Sequence, residues 1–205
     1  MLYRIFIGFV VLACGYLVYD SAKMGLALSY AQTAEEDFIF QPENSNPDLT
    51  VVVYVDYACT SCRNLHPLLG KAIEDDGQVR LIPRPIASKG IDEPNASAAK
   101  LVYAAGKQGK FREAHHDLIH EYRVIDSNFI TNFALQNGLD SVKLEEDMNS
   151  PEVREQLENN FKNLENIKGQ VLPTLLIDGK IIVHVNGPLP SSALIADLFG
   201  TARTL

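Results

Sequence analysis

The run Thr50-Val51-Val52-Val53-Tyr54-Val55 is short, β-branched and unbroken by polar residues, the pattern of a strand buried on both faces. Behind it, Leu65, Leu68, Leu69, Ala72 and Ile73 recur at helical spacing. Pro67 lies inside that run and predicts a kink, and Gly77 predicts its end. Val79-Arg80-Leu81-Ile82 reads as a second strand, continuing past Pro83 to Ile86. Strand, helix and strand make the unit of a parallel pair. Residues 95–105, 110–122, 127–136, 141–148 and 151–167 then all carry helical periodicity, with Ser127 and Ser150 as N-cap candidates and Pro151 suited to a first helical position. Strands return at Leu175-Leu176-Ile177 and Lys180-Ile181-Ile182-Val183-His184-Val185 around Asp178-Gly179, a hairpin signal, and Ser191-Ser192 opens a last helix running to about Phe199. Phe38-Ile39-Phe40 is a short strand candidate, followed by a loop over residues 42–48. The order is βαβ, a helical block, then ββα, an α/β arrangement.

The N-terminus breaks with this pattern. Residues 5–19 are almost unbroken apolar sequence behind Arg4. Fifteen helical residues span about 22 Å, short of the roughly 30 Å hydrocarbon core, although Leu2, Tyr3, Tyr16 and Tyr19 can extend or anchor the segment. Arg4 on the leading side predicts a cytoplasmic N-terminus and an exported remainder. A signal anchor is the first reading. A cleaved signal peptide, with a cleavage site near Ser29-Tyr30-Ala31, and a lipoprotein signal ending at Cys14 stay open beside it. Residues 1–20 are thus assigned to the anchor or signal, 21–37 to a helix or tether, and 38–205 to the folded domain. These three readings put the folded part where disulfide chemistry is at home, and a buried core helix is the fourth.

Composition narrows the choice of chemistry. The 205 residues carry a net charge of −8 and no Lys/Arg run, which argues against a nucleic-acid partner. Of three cysteines, Cys14 falls in the apolar run and reads as a small buried hydrophobe, leaving only Cys59 and Cys62 in the folded part. Two adjacent cysteines are no structural disulfide framework, and no nearby Cys/His pair completes a zinc site.

Cys59-Thr60-Ser61-Cys62 sits where the first strand passes into its helix. A cysteine at a helix N-terminus meets free N–H groups and the positive end of the dipole, and in such sites the thiol pKa falls to roughly 3.5–7.5. Cys59 is therefore the candidate attacking thiolate. Cys62, one turn on, is the candidate resolving thiol. Thr60 and Ser61 offer hydroxyls to tune it. Leu172-Pro173-Thr174 lies just before the hairpin.

Val55 to Cys62, Lys110 to Leu118, Gly169 to Thr174 and the closing hairpin together resemble the DsbA branch of the thioredoxin-like oxidoreductases of bacterial envelopes, over residues 38–200. The 110 residues between Cys62 and Pro173 are too many for a loop and resemble that family's inserted helical domain, here about residues 92–168. The resemblance implies a thioredoxin-like fold, a redox disulfide between Cys59 and Cys62, and a cis-proline at Pro173 facing the pair, with Leu172 offering backbone groups to substrate. It implies no cofactor, exported cysteine-bearing substrates, and a membrane redox partner that recycles the pair. Thr60-Ser61, Leu172 before the proline and Arg112 after Phe111 depart from the usual family residues. The direction of exchange, oxidase against isomerase or reductase, stays open. So does a redox-inactive chaperone or binding protein on the same fold.

Other polar residues read as structural. His116 and His120, one turn apart, have the spacing to pair on a metal, and Glu113–His116 has that of half a di-iron motif, but the plainer reading of both is helix surface and packing, and no metal is assigned. His66 reads as packing or surface. Asp56 reads either as a modulator of the thiols or as a hydrogen-bonded strand end. The Asn95-Ala96-Ser97 sequon is taken as chance, and Glu145-Glu146-Asp147 as a solvated helix face.

Overall fold

A computed structural model describes residues 2–169 and 171–205, with side chains from residue 17 onward. The apolar positions 5–16 and Cys14, and also Gln170, therefore lie outside the described side chains. Among the described residues no helix is long and apolar enough to cross a membrane.

The sheet has four strands in the order β2-β1-β3-β4. β1 (Leu49–Val55) is parallel to β2 (Val79–Pro85) and antiparallel to β3 (Thr174–Ile177), which pairs with β4 (Ile181–His184) through the Asp178-Gly179 turn. All seven β1 residues are buried. That is why the strand reads as a continuous apolar run: each side chain removed from water contributes about 1.5–3 kcal/mol. The residues alternate between two layers. Val51 and Val53 pack under α2 (Thr60–Asp76) and α8 (Ser192–Thr204), and Val52 and Tyr54 meet Ala27, Ala31, Leu164 and Ile167 on the opposite face. Pro67 is housed within α2 without ending it, and Gly77 closes that helix at φ 75°, a left-handed conformation that suits glycine.

Between β2 and β3 run α3 (Ser97–Gly106), α4 (Phe111–Ile119), α5 (Ser127–Asn137), α6 (Ser141–Met148) and α7 (Pro151–Asn166). They close over a second core that includes Leu101, Phe111, Leu118, Phe133 and Leu144. Ser150 caps α7 as expected, its side chain accepting from the Val153 N–H. The cap of α5 is Asp126 rather than Ser127, because the Asp126 carboxylate reaches the Phe129 N–H. The Phe38–Phe40 strand is replaced by a 3-10 turn, Glu36–Phe38, and a single bridge from Phe40 to Leu81. Phe38 turns away from the sheet to stack on Phe111, with ring centres 4.2 Å apart. The last helix runs past Phe199 to Thr204.

The helix α1 (Leu2–Gln32) carries the largest difference from expectation. Its C-terminal part is docked on the domain rather than free as a tether. Asn163 donates to the Ala27 carbonyl at 2.9 Å, Tyr30 Oη donates to Asn160 at 3.4 Å, and Lys168 pairs with Asp20 at 3.0 Å. The buried guanidinium of Arg84 donates to the carbonyls of Tyr30 (2.8 Å), Ala31 (3.2 Å) and Thr33, which are acceptors that a helix C-terminus leaves open. Polar side chains on β2 and α7 thus hold the helix in place, a role that an apolar pattern does not reveal.

Candidate active site

Cys59 is the N-cap of α2. Its sulfur accepts from the Cys62 N–H at 3.3 Å and lies 4.0 Å from the Leu172 carbonyl oxygen. Both sulfurs are free thiols, Cys59 half-buried and Cys62 buried. The Leu172–Pro173 peptide is cis, and the Leu172 carbonyl beside Cys59 sets the loop before β3 against the start of α2. The fold thus brings Cys59, Cys62, Leu172 and Pro173 together from segments 110 residues apart in the chain.

The two thiols are driven apart in acidity. Cys59 is pulled down to about 6, chiefly because the Cys62 thiol donates to it, with the N–H groups of Cys62 and Ser61 adding to the effect. The same contact pushes Cys62 well up, and burial adds to it. Among the described residues neither Thr60 nor Ser61 makes a side-chain hydrogen bond to Cys59. Both are exposed, and it is the Ser61 backbone that acts. The hydroxyl tuning expected of this dipeptide is replaced by helix N–H groups.

Asp56 is fully engaged. One carboxylate oxygen accepts from the Ala58 N–H at 2.7 Å, the other from the Ser88 N–H at 3.0 Å and from the Ser88 hydroxyl. It therefore clasps the cysteine loop to the turn after β2, and its charge opposes ionisation of both thiols. The alkylation rate of the reduced protein is expected to rise with pH through a midpoint near 6, and Asp56→Asn to lower that midpoint. Stopped-flow reaction with iodoacetamide measures both. A midpoint at the ordinary thiol value would contradict this geometry.

A groove of about 820 Å³ opens beside Cys59, walled by Ile86, Phe161, Leu164, Val171 and Leu172. The pattern along the chain gave no pointer to Ile86 as a groove residue. Phe161, partly exposed on an otherwise polar helix face, was the one available signal. His66 lies half-buried beside His115, with ring centres 5.2 Å apart, and packs as expected. Among the described residues no group of three or more metal-ligating side chains converges.

A mixed four-stranded sheet with a CxxC pair on the first helix N-terminus, a cis-proline loop across from it and helices inserted between the two halves defines a thioredoxin-fold protein with a helical insertion. The family model described as thioredoxin matches residues 44–196, and the chain belongs to that family. No curated protein matches it in sequence. Among solved structures, a thioredoxin-like oxidoreductase from Silicibacter pomeroyi DSS-3 is 22% identical, with a TM-score of 0.68 over 84% of this chain and 99% of that one. The catalytic domain of Proteus mirabilis ScsC is 21% identical, with a TM-score of 0.70 over 88% and 98%. The thiol-disulfide exchange protein alpha-DsbA2 from Wolbachia pipientis is 16% identical, with a TM-score of 0.67 over 90% and 97%.

Proposed function

We propose that this chain is a thiol–disulfide oxidoreductase of the bacterial cell envelope, exchanging disulfides with exported proteins through Cys59 and Cys62. The observation that carries the reading is the pairing of a Cys59 thiol pulled down to about 6 with a buried Cys62 thiol, set in a groove under Leu172–Pro173. In the dithiol state the Cys59 thiolate attacks one sulfur of a substrate disulfide, and the other leaves as thiolate. Cys62 then gives up its proton and attacks Cys59 Sγ, so that two electrons pass to the substrate and the pair becomes a disulfide. The reverse sequence oxidises a substrate dithiol. An ionised Cys59 stabilises the dithiol form over the disulfide, which favours disulfide donation. The electrons stay on sulfur throughout, so the exchange needs no cofactor. A membrane redox partner resets the pair.

The apolar run at 5–19 serves in this proposal as a signal anchor, leaving the domain outside the cytoplasm. Among the similar structures is one described as a periplasmic thioredoxin-like protein from Salmonella enterica serovar Typhimurium, 18% identical with a TM-score of 0.68, which accords with that location.

Insulin reduction and refolding of a scrambled disulfide protein test the assignment. Both activities are expected from the wild type and neither from Cys59→Ser. Absence of both from the wild type, with partner binding untouched by the substitution, would make the chain a chaperone or binding protein instead. Equilibration against glutathione fixes the direction, and a potential near that of thioredoxin, about −270 mV, would count against disulfide donation.

A further inference from the structure

Four of the chain's five histidines gather at one place outside the thiol site: His66 on α2, and His115, His116 and His120 on and just after α4. His66 and His115 are the inner pair. His115 is wholly buried with its Nδ1 against Tyr57 Oη at 2.6 Å, and His66 is mostly covered. His116 and His120 are the outer pair, both exposed.

The outer pair has the features of a chelate. His116 lies in the last turn of α4 and His120 is its C-cap with helical backbone, so the two, four apart, share one face, the spacing by which two imidazoles take a single ion. Their ring centres are 5.7 Å apart. Two imidazoles on one tetrahedral ion stand with ring centres about 5 Å apart, a difference that a small turn of two exposed rings covers. His116 Nδ1 faces Asp117 Oδ1 at 3.4 Å. A carboxylate only accepts, so this contact favours the neutral tautomer with its proton on Nδ1, which leaves Nε2 as the ligand atom, the arrangement that orients metal-ligating histidines. The pair stands at the C-terminal end of α4, where the helix dipole favours a cation. Between α4 and α5 a pocket of about 330 Å³ opens directly on both rings. Glu121, on the same pocket, is taken up by Arg123 and by the N–H of Tyr122, so it does not compete for the role of ligand.

We propose that His116 and His120 form a surface chelate for one divalent transition ion of the zinc or nickel class, with water completing the shell. Neutral imidazole is the ligand type such ions prefer. The site lies at the end of α4 and shares no residue with the thiol site, although the His120 ring also stands 5.7 Å from His66 on α2.

The test uses the full chain with Cys14, Cys59 and Cys62 all replaced by serine, so that no thiolate competes for metal. Zn²⁺ and Ni²⁺ are titrated by calorimetry and by competition with a chromophoric chelator. One ion per chain is expected in the micromolar range. His116→Gln and His120→Gln are each expected to weaken binding about tenfold or more, while His184→Gln, in the distant β4 strand, leaves it unchanged. No bound ion, wild-type affinity in either outer-pair variant, or equal weakening by His184→Gln would each overturn the site. Both substituted rings are exposed, and circular dichroism of each variant verifies the fold.

Discussion

Exchange of Cys62 for serine is expected to leave the protein covalently loaded with its substrates. Cys59 keeps its place at the head of α2 and its N–H donors from Ser61 and residue 62, so attack on a substrate disulfide continues. What disappears is the second sulfur. Cys62 is buried, and its N–H donates to Cys59 Sγ at 3.3 Å, which places its own thiol within reach of any mixed disulfide formed there. Intramolecular attack of this kind corresponds to effective concentrations far above those of external thiols, and its loss slows release by about 10³-fold or more. A serine hydroxyl is not nucleophilic enough to replace it. Mixed disulfides should therefore accumulate on Cys62→Ser and vanish when dithiothreitol is added. Non-reducing gels of protein incubated with an oxidised substrate read this directly. Turnover at the wild-type rate by Cys62→Ser, with no adduct, would remove Cys62 from the reaction.

Stability is expected to fall steeply between pH 6.5 and pH 4.5, before the carboxylates titrate. His66 is held down to about 4 by burial, with the nearby His120 and His116 adding to the effect. Burial drives His115 in the same direction, with His66 the next contributor. The sign follows from proton counting. Below the ordinary histidine value of 6.5 the unfolded chain takes up protons that the folded state refuses, so folding weakens as pH drops. The contribution is complete above pH 6.5 and is lost progressively toward the folded value. For His66 alone the loss amounts to about 3 kcal/mol. The carboxylates act in a separate window: Arg203 lowers Asp48 and Asp76, and Glu121 is pulled down to about 2 by Arg123. Their share is present above the ordinary carboxylate range and fades only under stronger acid. Urea denaturation at a series of pH values should show the early slope, and His66→Asn should flatten it. A stability flat from pH 7 to pH 4.5 would mean that the inner histidines accept protons where they sit.

The parts of the molecule legible in the sequence are those whose signal is local. The CxxC motif at the β1–α2 junction, the Asp-Gly turn, the Ser150 cap and the buried β1 run each depend on a few adjacent residues, and the structure forms each of them. Less legible were the elements that polar side chains hold from a distance. Asn160 and Asn163 are buried on α7, where Asn160 continues the apolar stripe of Val153 and Leu157. An asparagine on such a stripe signals a buried hydrogen bond, but nothing in the sequence says that its partners are Pro85, Tyr103 and the α1 helix. Arg84, set between Pro83 and Pro85 in a buried strand, gave a similar unread sign. The groove walls were hidden for the same reason: Ile86, Phe161 and Leu172 meet only in three dimensions.

The docking of α1 has a consequence for which partners the thiols meet. A domain on a slack leash samples every direction that its leash allows, and its choice of substrate is then set by affinity alone. Here Asp20 grips Lys168, a residue that itself lines the groove beside Cys59, and Arg84 fixes the far end of the same helix. The bearing of the groove relative to α1 is thereby fixed. Under the proposed function, whatever holds that helix aims the thiols, and a disulfide outside that line of approach is expected to be spared, however well it fits.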